Sequence, residues 1–109
     1  MLPSQLVTRG WIQGENAQNG MGRGVGAFSP DAVAWCALGA LYAGLDGEEY
    51  TAVRAAVDRL VWELSFMPWK IFGEANVITN WNDAPGRTQG EVVKLLETAE
   101  RECGLGVNS

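Results

Sequence analysis

Apolar positions recur at helical spacing in two long windows of this chain. Val53, Val57, Leu60, Val61 and Leu64 follow the i, i+4, i+7, i+8, i+11 rule, with Arg54, Asp58, Arg59 and Glu63 on the other side. Val92, Leu95, Leu96, Ala99 and Cys103 repeat the pattern, with Lys94, Glu97, Thr98 and Arg101 facing away. The punctuation agrees with the period. Asp46 with Glu49, and Thr88 with Glu91, have the spacing of capping boxes. Pro68 breaks the first pattern and Gly104 stops the second. Helices are therefore predicted over about 47–66 and 89–103.

A third window is apolar on all sides. Ala32, Val33, Ala34, Trp35, Cys36, Ala37, Leu38, Ala40, Leu41 and Tyr42 follow Ser29-Pro30-Asp31, whose residue types suit a helix start. This predicts a central buried helix over about 30–43, with Gly39 admitting a neighbouring helix and Gly44 as its stop. Two short helices are expected near 3–10, with Leu6 and Val7 inward, and near 75–82. Val77, Ile78 and Thr79 are β-branched, but no second strand is in sight to pair with them. Residues 14–28 hold Gly20, Gly22, Gly24 and Gly26 and read as a surface loop, while 105–109 read as a frayed tail. The sum is one all-α domain over 1–109, a compact bundle of three main helices with short links.

Composition narrows the function. The 109 residues carry a net charge of −5 with no basic cluster, which argues against nucleic acid as a partner. No apolar run approaches a membrane span and Met1–Gln5 lacks a signal-peptide pattern, so a cytoplasmic protein is expected. There is no histidine, and Cys36 and Cys103 sit far apart in apolar patterns as buried free thiols. No metal, no cofactor and no catalytic set is therefore expected. The alternating glycines lack the strand before and the Lys-Ser/Thr after that a phosphate loop needs. Five tryptophans are many for this length, and Trp is favoured both in cores and at interfaces.

Chemistry concentrates in one stretch, Trp81-Asn82-Asp83-Ala84-Pro85-Gly86-Arg87-Thr88-Gln89-Gly90-Glu91. Ala84-Pro85-Gly86-Arg87 has the residues of a type II turn, and Thr88 with Glu91 caps the helix that follows. Trp81, Asn82, Asp83 and Arg87 then read in two ways. They pin two helices at a corner, or they wall a small pocket for a nucleotide-like ligand, with Arg87 for a carboxylate or phosphate. Gln13, after Trp11, is placed to bond or line the same corner. Asp83 and Glu91 are the only carboxylates with a local reason to be close, and capping explains Glu91 better than acid–base chemistry. The Phe66–Phe72 segment, including Trp69 and Phe72, is either a cover for the core or an exposed partner or oligomer patch.

Three windows together resemble a known family. They are Gly10-Trp11-Ile12-Gln13-Gly14, then Ser29-Pro30 through Trp35-Cys36 to Gly39-Ala40-Leu41, then Trp81-Asn82-Asp83-Ala84-Pro85-Gly86-Arg87-Thr88 with Glu91-Val92. The chain is similar over about 6–99 to small bacterial and phage proteins grouped as a domain of unknown function. The resemblance implies one small domain and no activity. Members often carry a basic residue where this chain has Gln18, and the 62–73 segment is unusually aromatic here.

The expectation is a non-enzymatic, acidic protein-binding module that docks on a basic partner surface. Carriage by a phage or mobile element, with inhibition of a host defence protein such as a CRISPR effector, extends this by analogy. Self-association is the other partner expectation. The alternative is a nucleotide-like ligand bound at the Trp81-Asn82-Asp83/Arg87 corner.

Overall fold

The computed structural model describes residues 1–64 and 77–106. It corrects the all-α expectation. Among the described residues, five helices are joined by a three-stranded antiparallel sheet: α1 (Pro3–Arg9), β1 (Ala17–Asn19), β2 (Gly24–Val25), β3 (Ala32–Trp35), α2 (Ala37–Gly44), α3 (Gly47–Leu64), α4 (Val77–Asn82) and α5 (Gln89–Glu102).

The error lies in two places with one cause. The window predicted as a helix over 30–43 divides at Cys36: its first half is β3 and only its second half is helical. An uninterrupted apolar run cannot distinguish a buried strand from a buried helix, because no period is visible in it. The strands that pair with β3 lie in the glycine-rich segment expected to be a loop. β1 is central in the order β2-β1-β3, with Ala17 opposite Trp35 and Val25, and a bulge between Gln18 and Asn19. Trp11 adds a parallel bridge to Trp35 on the outer side of β3.

Local chemistry around the division fits. The Ser29 hydroxyl accepts from the Asp31 amide at 3.1 Å, closing a tight turn before β3 instead of capping a helix. The cap of α2 is Cys36, whose Sγ accepts from the Gly39 amide at 3.3 Å. Gly39 does permit a close approach, but to a backbone carbonyl: a Cβ there would lie 1.9 Å from the Asn16 oxygen.

The other helices largely follow their patterns. In α3, Val53, Val57 and Val61 are fully buried, whereas Leu64 is 63 % exposed. Arg59 pairs with Glu63 at 2.9 Å and also with Glu102 of α5. Arg54 bonds the Tyr50 hydroxyl at 2.7 Å, and Tyr50 stacks on Tyr42. α5 opens on the Thr88–Glu91 capping box. It closes on a Schellman motif, with Gly104 at φ 77° and the Leu105 amide donating to the Glu100 carbonyl at 2.8 Å. The expected cover over 66–72, with Trp69 and Phe72, the start of the helix placed at 75–82 and the last three residues of the expected tail lie outside the described residues.

α1 has only seven residues and needs outside help, because so short a helix is marginal alone. α5 supplies it at both ends. The Glu100 carboxylate accepts from the Ser4 amide at 2.8 Å and the Ser4 hydroxyl at 2.6 Å. The Gln89 amide donates to the Val7 carbonyl at 2.7 Å. Leu6 and Val7 then pack into a core shared with Leu41, Val53, Val57, Val77, Trp81, Val92 and Leu96.

Candidate functional site

The polar corner forms where the end of α4 meets the segment 10–14 and the start of α2. Asn82 is its centre and is fully buried. Its Oδ1 accepts from the Trp11 indole N–H at 2.8 Å and from the Ala37 amide at 3.0 Å. Its Nδ2 donates to the Ile12 carbonyl at 3.1 Å and to Asp83 Oδ1 at 2.9 Å. An amide side chain has two acceptor sites and two donor hydrogens, so Asn82 is saturated. Ala37 opens α2, so Asn82 also satisfies one of the orphan amides at that helix start.

The neighbours are engaged as well. Asp83 Oδ1 also accepts from the Gly14 amide at 3.0 Å. Gln13 Nε2 donates to the carbonyls of Asn82 at 2.9 Å and Ala84 at 3.1 Å, closing the corner from outside. Residues 84–87 make the expected type II turn, with Gly86 at φ 83° and the Arg87 amide donating to the Ala84 carbonyl at 3.1 Å. Arg87 folds back over α4. Its Nε donates to the Trp81 carbonyl at 2.8 Å, its guanidinium carbon lies 3.9 Å from the Trp81 ring centre, and it pairs with Glu91 at 3.5 Å. Thr88 and Arg87 together hold the exposed Glu91 carboxyl below its ordinary range, chiefly through the Thr88 amide.

The structure thus brings together Trp81, Asn82, Asp83, Arg87 and Gln13, all named from sequence. Every one of them bonds or packs against protein groups. Trp81 is a buried wall with Arg87 on its face, not an open stacking platform. Glu15, next to this segment, accepts from the Gln18 side-chain amide at 3.4 Å. Asp83 and Glu91 have separate partners and do not act as a carboxylate pair. Cys36 lies close by, but burial pushes its thiol up, the reverse of what a nucleophile needs. Among the described residues no group of three or more His, Cys, Asp or Glu side chains comes together to hold a metal ion. No described helix is long and apolar enough to cross a membrane.

A second polar feature was not anticipated. Glu100 is only 2 % exposed, and burial pushes its carboxyl up. It lines a cleft of about 310 Å³ between α1 and α5, with Ser4, Gln5, Glu97 and Arg101. A signal was present: Glu100 stands four residues after Leu96 and three before Cys103, on the apolar stripe of α5. A carboxylate on such a stripe is a buried polar group in waiting.

Residues 4–102 match the family described as Family of unknown function (DUF6197), and the chain belongs to that family. No curated protein and no solved structure matches it.

Proposed function

We propose that this family member is a non-enzymatic binding module that docks on a basic surface of a protein partner. The observation that carries the reading is the internal use of the polar corner. Catalysis and small-ligand binding both need polar groups free to meet a substrate. In the densest polar stretch of this chain, Asn82 has no hydrogen-bonding capacity left, and Arg87 is spent on Trp81 and Glu91.

The surface supports a protein partner of opposite charge. Asp and Glu outnumber Lys and Arg by 13 to 8, so the long-range field is negative. Arg59 and Arg87 are further neutralised by carboxylates of the chain itself. Large apolar side chains stand exposed around the sheet, with Met21 79 % and Phe28 76 % exposed, and would supply the apolar contacts that charge alone does not.

The narrower reading, occupation of a host defence protein such as a CRISPR effector, names a partner class by analogy with small acidic inhibitors. Affinity capture from lysate at low and at physiological salt tests the broader one. A partner is expected to be retained at physiological salt and released as salt rises. Empty eluates under both conditions would count against it. A thermal-shift screen with nucleotides is expected to be flat, and stabilisation lost in Arg87→Ala would restore the ligand reading.

A further inference from the structure

We propose that the cleft between α1 and α5 is the anchor point of the docking surface, and that it receives a lysine or arginine side chain of the partner. The inference rests on the partner reading above and adds where and how the basic group is held.

Three features of the cleft point the same way. First, Glu100 is a buried carboxylate without a counter-ion: its two oxygens are held by the Ser4 amide and hydroxyl, and none of the described ion pairs includes it. Burying a carboxylate with neutral donors alone is costly, and a cation brought alongside relieves that cost. Second, the space beside it is real, a cleft of about 310 Å³, at the lower end of the range for binding pockets and enough for the end of one long side chain. Third, Glu97 stands on the same lining one helical turn earlier and is exposed, so a cation entering the cleft passes a second carboxylate.

Glu97 pushes the Glu100 carboxyl further up and Arg101 pulls it down, both from α5. The α1 side contributes Leu2, Ser4 and Gln5, none of which titrates. Arg101 is exposed on the same lining and is in none of the described ion pairs.

The test uses the full chain and two small probes, N-acetyl-arginine methylamide and N-acetyl-lysine methylamide, followed by amide NMR. Saturable shifts centred on Ser4, Glu97 and Glu100 are expected, and none from a neutral norleucine analogue. Glu100→Gln is isosteric and retains both Ser4 bonds, since its amide can accept from the Ser4 N–H and donate to the hydroxyl. It is expected to weaken the cationic probes by about tenfold or more, as loss of a charged hydrogen-bond partner does. Glu48→Gln, the same change of charge on exposed Glu48 of α3, is expected to alter affinity by less than about twofold.

Absence of saturable shifts, or equal weakening by Glu48→Gln, overturns the proposal. Should Glu100→Gln not fold, the Glu97→Gln protein is titrated with pH. Probe binding is expected to fall as the Glu100 carboxyl takes up its proton, and a flat profile overturns the proposal. If a captured partner binds Glu100→Gln as well as the parent, the cleft is overturned while the partner reading stands. Probe binding with no captured partner leaves the cleft standing and counts against the partner reading.

Discussion

Replacing Asn82 by alanine is the sharpest test of how this fold is held. The side chain joins three segments that are far apart in sequence: Trp11 and Ile12, Ala37, and its own neighbour Asp83. Truncation leaves the buried Ala37 amide and the Trp11 indole N–H without their acceptor, and the Ile12 carbonyl without its donor. A buried donor left unpaired costs about 1–3 kcal/mol, so two of them, with the small void, cost about 3–5 kcal/mol. A domain of this size is stable by only about 5–15 kcal/mol, so the loss takes about a fifth or more of the total. The apparent Tm is expected to fall by about 15 °C or more. Urea unfolding followed by far-UV circular dichroism and Trp fluorescence measures the change. Amide exchange locates it, with faster exchange expected at Ala37. Trp11→Phe is the graded control: it removes one donor while Asn82 keeps the Ala37 bond, and about 1 kcal/mol is expected. A loss under about 1.5 kcal/mol for Asn82→Ala, with exchange at Ala37 unchanged, would refute the reasoning, because water would then be serving the same groups.

Other perturbations probe separate joints. Gly39→Ala drives a methyl to 1.9 Å from the Asn16 carbonyl, so β1 and α2 must part; a loss of about 3 kcal/mol or more, or failure to fold, is expected on chemical denaturation. Glu100 binds its proton more tightly in the folded chain than in the unfolded one, so its contribution to stability falls as pH rises from the ordinary carboxyl range through its raised value. Glu100→Gln is therefore expected to flatten that part of the stability–pH curve, and an unchanged slope in urea midpoints across pH 4 to 8 would contradict it. Cys36 is buried and its thiol is pushed up, so it should resist alkylation in the native protein and react fully in denaturant, as read by mass spectrometry.

Much of this molecule could be read from short-range signals. α3 announces itself by period, and α5 by period and by its cap, because i, i+4 spacing and a Thr-x-x-Glu box act within one or two turns. The turn at 84–87 follows from Pro85 and Gly86, whose backbone limits are intrinsic. The corner residues Trp81, Asn82, Asp83, Arg87 and Gln13 stood out as a dense set of polar and aromatic groups. Arg87 finds its partners locally, at Trp81 and Glu91, but the distant groups that Asn82 and Gln13 reach were decided by tertiary structure. Asn82 reaches Trp11 and Ala37 across 71 and 45 residues of chain, and no local rule relates such positions. The sheet escaped for the same reason. β3 carries an apolar run with no period of its own, and its strand character exists only in register with Ala17 and Gln18 of a glycine-rich segment that looks like a loop in isolation. Glu100 completes the contrast: its place on the apolar stripe of α5 fixed that it would be buried, while only the packing of α1 against α5 decided that Ser4 would receive it and that a cleft would open beside it.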